Sequence, residues 1–174
     1  MQAATFWRTV TRDHSDLLEH ALQALEEAGA RYCVIGDQAV NAYAEPVVSL
    51  DLEFALAPGE IERLGALFGP PIRMERFEHS VILSAPDSDL RIQFQVDPRY
   101  QAFPARAEVR EVLGHRLPVA SLEDVLRGKV WAASDTSRRP SKRQKDLADI
   151  SRLLEGRPEL RKLVPQAILQ RLIE

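Results

Sequence analysis

The sequence has one cysteine, Cys33, among 174 residues, with two methionines, two tryptophans and 6% aromatic side chains in all. A lone cysteine excludes a disulfide within the chain and matches the usage of a reducing compartment. Cys33 lies in an apolar run, Tyr32 to Ile35, where a free thiol serves as a small buried hydrophobe. No apolar run reaches the roughly 20 residues that a bilayer-spanning helix needs. The amino-terminal residues also lack the continuous apolar core of a secretory leader. The expectation is a cytoplasmic protein with no membrane partner. The histidines, His14, His20, His79 and His115, are too scattered for a zinc pattern. No heptad, repeat or low-complexity tract is present. A net charge of −3 gives no general basic excess for gripping nucleic acid.

What is present is ordinary for a globular chain: 45% hydrophobic and 28% charged residues. The length suits one compact domain, read as an α/β core over 1–120 with a helical segment over 121–174 packed on it. Charge is unevenly placed. Between 127 and 145 stand Arg127, Lys129, Arg138, Arg139, Lys142, Arg143 and Lys145 against Asp135 alone, which points to a local anion site.

Residues 1–12 show no clear pattern, and Phe6 and Trp7 there are read as docking on the body or on a partner. Leu17, Leu18, Ala21, Leu22, Leu25 and Ala28 make the stripe of a helix from Asp13 to Ala28, stopped at Gly29. A strand (Tyr32–Ile35), a Gly36-Asp37-Gln38 turn and a short helix from Ala39 to Ala44 follow. The next strand is expected from Val47 to Leu56, then a helix from Glu60 to Phe68. Strands follow over Ile72–Phe77, His79–Ala85 and Asp89–Val96, with a hairpin over Gly114. Helices are expected at Ser121–Ser134, at Arg143–Leu154 after a basic loop containing Pro140, and at the carboxyl end. The architecture is a small mixed sheet flanked by helices.

The chain is organised around the strand ending at Leu56. Side chains alternate along a strand, so Leu50, Leu52, Phe54 and Leu56 share one face, and Ser49, Asp51, Glu53 and Ala55 the other. Two neighbouring carboxylates repel unless a cation lies between them, and an oxygen-only site suits Mg²⁺ or Mn²⁺. Strand, glycine turn, helix and Asp-x-Glu on the next strand resemble the signature of the DNA polymerase β-like nucleotidyltransferase superfamily. The set Ser121-Leu122-Glu123-Asp124, Lys129 and Arg143-Gln144-Lys145-Asp146-Leu147-Ala148-Asp149 is similar to the small AbiEii-type nucleotidyltransferases, which include toxin components of toxin–antitoxin pairs.

The resemblance implies a nucleotidyltransferase fold, an NTP substrate and divalent metal on Asp51 and Glu53. It implies phosphates near Gly36, and an acceptor that is RNA (a tRNA end), a protein or a small molecule. Asp37 stands where the family has Gly or Ser; it repels the triphosphate unless a metal or cation offsets it, or it caps the helix that begins at Gln38. Gln93, in Leu90-Arg91-Ile92-Gln93, takes the place of the family's third carboxylate, and an amide cannot act as a base near neutrality. Asp97 shares its face but lies four residues on, about 13 Å in an extended strand. It substitutes only if the strand bends.

Lys129 falls on the buried stripe Leu122, Val125, Leu126, Val130 and Ala133, so it meets a phosphate, pairs with an acid or snorkels outward. Arg143 and Lys145 oppose the dipole at a helix start, which suits a bound anion; Lys145 and Asp149 could equally pair along the helix surface. Two functions stay open: slow nucleotidyl transfer, or a catalytically silent module that binds nucleotide, RNA or a partner protein.

Overall fold

The computed structural model of the protein describes residues 9–14 and 16–172; Phe6 and Trp7 lie outside them. The elements, in chain order, are α1 (Leu17–Glu27), β1 (Tyr32–Ile35), α2 (Gly36–Asn41), β2 (Asp51–Leu56), α3 (Glu60–Gly65), β3 (Arg73–Arg76), β4 (Ser80–Ser84), β5 (Arg91–Gln95), β6 (Glu108–Val112), β7 (His115–Val119), α4 (Leu122–Ser134), α5 (Pro140–Gly156) and α6 (Gln166–Leu169). Among the described residues seven strands form one mixed sheet in the order β3-β4-β5-β2-β1-β7-β6. β2 therefore lies at the centre, antiparallel to β1 and parallel to β5. Among the described residues no helix is long and apolar enough to cross a membrane.

The period-two reading of β2 fits the burial. Leu52, Phe54 and Leu56 are fully buried, while Asp51 and Glu53 are partly exposed on the opposite face. On the apolar face Phe54 stacks on Phe94 of β5 at 5.7 Å, and Tyr32 meets Phe54 edge-on at 5.4 Å. Rings packed this way add about 0.5–1.5 kcal/mol per pair beyond the area they bury, which fixes the β1-β2-β5 register behind the carboxylates.

β2 begins at Asp51 rather than Val47, and Leu50 is 42% exposed instead of joining the apolar face. The cause is α2. The Asn41 side chain donates to the Val47 carbonyl at 2.8 Å and accepts from the Val47 amide at 3.0 Å, and Gln38 donates to the Ser49 carbonyl at 3.4 Å. These amide side chains stand in for a neighbouring strand, because β1 ends at Ile35, opposite Glu53.

Helix α4 opens as expected, with the Ser121 hydroxyl accepting from the Asp124 amide at 3.3 Å. Helix α5 starts earlier than expected, at Pro140. Proline fits the first helical turn because its fixed φ is already helical and no N–H is required there. The carboxyl end is not one helix. Pro158 opens a 3₁₀ segment to Leu163, and Pro165 separates it from α6, since the residue before a proline is driven out of the helical region.

Candidate active site

Gly36 has φ +67, and a Cβ at this position would sit 2.6 Å from Glu53 Oε1. The positive φ favours glycine because L side chains are strained there, and an added Cβ would also have to push the Glu53 carboxylate aside. Glu53 is tucked under this turn and opens onto a cavity of about 290 Å³ bounded by β2, β5, α4 and the start of α5. Asp51, Gln93, Lys129 and Gly36 share that wall.

The two carboxylates are held differently. Asp51 accepts from Arg91, with Nη2 at 2.9 Å and Nε at 3.0 Å from Oδ1, and Lys142 Nζ lies 3.9 Å from Oδ2. The parallel register places Arg91 opposite Asp51 and Gln93 opposite Glu53. Glu53 makes no side-chain hydrogen bond or ion pair to another described residue. Burial therefore pushes its carboxyl above the usual range, with Asp37 and Asp51 adding to the shift and Lys129 opposing it.

Lys129 is 5% exposed and does not aim at open space. Its Nζ lies 2.7 Å from Asp37 Oδ1, 2.7 Å from Asp149 Oδ2 and 3.3 Å from Asp146 Oδ1. Of the readings open for this residue, the structure has the ion pair, made with three acids at once. Burial works to neutralise the ammonium, but these carboxylates outweigh it and hold the charge on. Lys145 pairs with the other oxygen of Asp37, and the Ser49 hydroxyl donates to that oxygen at 3.0 Å. Burial opposes ionisation of Asp37 as well; the two lysines prevail and keep it far below the usual carboxylate range. Of the readings open for Asp37, the capping bond is not made at α2, and the carboxylate is instead offset by protein cations, Lys129 and Lys145.

Three further expected site residues, Asp97, Arg143 and Lys145, stand off the cavity wall. β5 ends at Gln95, and Asp97 turns away to cap a 3₁₀ turn, accepting from the Arg99 amide at 2.9 Å and pairing with its guanidinium at 2.8 Å. The strand does not bend to bring Asp97 to the cavity. Arg143 is absent from the cavity wall, and so is Lys145, whose ammonium is spent on Asp37.

Other wall residues were not singled out from the sequence. Arg91 sits on β5, Arg138 bonds Asp146 at 2.8 Å, and Tyr100 follows the Asp97 turn. The basic run had marked Arg138 and Lys142 only as part of a charged segment. Nothing in the sequence marked Tyr100.

Among the described residues no group of three or more His, Cys, Asp or Glu is arranged to hold a metal ion. A smaller donor set exists: the Asp51 and Glu53 carboxylates, with the Gln93 amide oxygen registered beside them. Glu53, half-buried and without a protein cation in contact among the described residues, is the group that a hard divalent cation would answer, and such ions accept carboxylate and amide oxygens alike. The set could hold one cation if Arg91 and Lys142 released Asp51.

A mixed sheet carrying two carboxylates on one face of its central strand, beside a glycine turn, defines a nucleotidyltransferase fold. The chain belongs to the family described as nucleotidyl transferase AbiEii toxin, type IV TA system, which matches residues 13–174. Solved structures agree at the level of the fold. The antibiotic-resistance factor ANT(2'')-Ia, in complex with adenylyl-2''-tobramycin, superimposes with a TM-score of 0.63 at 16% identity, covering 89% of this chain and 96% of that one. JHP933 from Helicobacter pylori gives 0.53 at 19% identity, covering 84% and 67%. An antigenic nucleotidyltransferase-like protein from Paracoccidioides brasiliensis gives 0.51 at 15%, covering 97% and 94%. No curated protein matches the sequence.

Proposed function

We propose that this cavity transfers a nucleoside monophosphate from an NTP to a hydroxyl, slowly, with a divalent cation, Mg²⁺ or Mn²⁺, held by Asp51 and Glu53. The observation that carries this reading is Glu53: a half-buried carboxylate with no hydrogen bond or ion pair from another described residue, beside Asp51 on one cavity wall, in a chain of a nucleotidyltransferase family. When bound, the cation would draw charge from the reacting phosphate and align the leaving pyrophosphate.

The chain's own residues supply the rest. Gly36 lets backbone approach the phosphates closely, since it carries no Cβ. Arg91 and Lys142, released from Asp51 as the cation binds, become the nearest mobile positive charges for the triphosphate. Lys129 and Lys145 hold Asp37 and so set the position of the turn. Gln93 cannot take the proton from the attacking hydroxyl, and so solvent receives it. General-base help is typically worth about 10²–10⁴-fold, and its lack makes the reaction slow.

The acceptor is a hydroxyl of RNA, such as a tRNA end, or of a protein; tobramycin is the adenylylated molecule in the ANT(2'')-Ia complex. We place the reaction in the cytoplasm, where NTPs are made, and treat 1–120 and 121–174 as one compact unit with the cavity between sheet and helices.

The test is incubation with each α-labelled NTP, Mg²⁺ or Mn²⁺, and total RNA or lysate. Label should appear on RNA or protein, and Glu53→Gln should abolish it. Absence of label with every nucleotide and acceptor favours the second reading, a silent member that binds nucleotide, RNA or a partner protein. Gln93 in the third carboxylate's place and the neutralisation of Lys129 and Lys145 by Asp37 support that alternative.

A further inference from the structure

Three polar side chains on the cavity wall make no hydrogen bond or ion pair to another described residue: Glu53, Gln93 and Tyr100. The remaining acids of the wall are all paired: Asp51 with Arg91, Asp124 with Arg106, and Asp146 with Lys129 and Arg138.

Tyr100 is the informative member. Tyr100 is half-buried on the cavity wall, and its O–H has no hydrogen-bond partner among the described residues. The ring cannot swing to seek one. Phe103 meets it at a tilt with centroids 5.1 Å apart, and Trp131 meets it edge-on at 5.3 Å. Gly128 of α4 passes along the ring edge, where a Cβ would lie 3.3 Å from Tyr100 Cε1 and 3.8 Å from the hydroxyl oxygen. The helix thus approaches the phenol without placing a side chain in front of it. Burial pushes the phenol up to about 12, so it enters the cavity as a donor rather than an anion. Across the cavity, the β2–β5 register sets the Gln93 amide beside Glu53.

We propose that Tyr100 and Gln93 form a subsite for a neutral sugar hydroxyl, with Tyr100 donating a hydrogen bond to its oxygen and Gln93 Oε1 accepting a hydrogen bond from its O–H. This rests on the transfer reading above and names the group that the cavity holds beside Glu53. The chemistry is selective. An ammonium ligand needs several free carboxylates, and the protein's own cations already occupy all but one. A hydroxyl needs one donor and one acceptor, which is what Tyr100 and Gln93 offer.

The test uses the full chain, with methyl β-D-ribofuranoside as probe and spermidine as its cationic counterpart. Binding is read from the Gln93 side-chain amide and Tyr100 ring resonances. The riboside should move both saturably, and spermidine should move neither. Tyr100→Phe should leave the melting temperature unchanged, because the hydroxyl has no protein partner to lose, and should weaken riboside binding about fivefold, the effect of one neutral hydrogen bond. Gln93→Leu should weaken it similarly.

The proposal is overturned if the riboside moves neither resonance, if spermidine binds in its place, or if Tyr100→Phe binds as well as the parent. A fall in melting temperature with unchanged binding also overturns it, since the hydroxyl would then be structural. A further arm adds Mg²⁺ and NTP. If riboside binding persists, the hydroxyl belongs to the acceptor; if NTP moves the same resonances and displaces the riboside, it is the nucleotide's own ribose. If NTP fails to bind while the riboside binds, the subsite stands and the transfer reading falls.

Discussion

Lys129 Nζ lies 2.7 Å from Asp37 Oδ1, joining residues 92 positions apart in the chain. Asp146 and Asp149 complete the shell around the same ammonium. One buried cation thus ties α4 and α5 to the turn beside the catalytic candidates. Lys129→Met should leave three buried carboxylates without their shared counter-charge and destabilise the fold by about 3–5 kcal/mol. Urea unfolding measures this; a loss below about 1 kcal/mol, the range of a surface pair, would show that Lys129 is not the hub.

Asp37 makes stability depend on pH with a definite sign. Its folded carboxyl titrates below the ordinary value, because the lysines outweigh burial. Such a group contributes stability that is fully present above the unfolded value, about 4, and is lost as pH falls toward the folded one. The parent's advantage over Asp37→Asn should therefore be flat from pH 7 down to about 5 and shrink below about 4. An advantage that grows in acid contradicts the assignment.

Glu53 has the opposite sign. Burial raises its folded carboxyl, so the ionised form costs stability once pH passes above the unfolded value. In chelating buffer Glu53→Gln should melt higher than the parent at pH 8, and the two should converge near pH 4. The same variant should lose nucleotidyl transfer. Equal melting curves at both pH values would mean that Glu53 is solvated or paired in solution.

Gly36→Ala combines two effects. The backbone cost at positive φ is about 1–2 kcal/mol, and the new methyl would meet the Glu53 carboxylate at 2.6 Å. The variant should be destabilised by more than the backbone term and should lose transfer through displacement of Glu53. A loss confined to about 1 kcal/mol, with activity intact, would show that Glu53 moves aside freely.

Gln93→Asp should raise basal transfer about 10²-fold, by restoring a base beside the acceptor. Asp97→Asn should leave transfer unchanged, because Asp97 is engaged with Arg99 away from the cavity. Arrest by Asp97→Asn would require that turn to open during the reaction. A Gln93→Asp protein that binds NTP yet labels no acceptor favours the silent reading.

Several features were legible in the sequence because they have a local periodic cause. Alternation placed Asp51 and Glu53 on one face and Leu52, Phe54 and Leu56 on the other. Helical spacing placed Lys129 on a buried stripe. The start of β2 is not legible, because Val47 and Leu50 suit a strand and nothing local reveals that Asn41 and Gln38 replace the strand neighbour. The place of Pro140 is not legible either, because a proline at the first helical turn and a proline in a loop look alike without the fold.

The sequence by itself determined the two-carboxylate strand, the glycine turn before it and the buried lysine, since each follows from backbone geometry and the burial of neighbouring side chains. Only the tertiary structure decided the partners. Parallel pairing of β2 with β5 set Arg91 against Asp51 and Gln93 against Glu53. Docking of α5 carried Lys145 across 108 residues to Asp37. The turn after β5 sent Asp97 away and brought Tyr100 in. These contacts depend on how distant segments share a core, and separation along the chain leaves no periodic trace of them.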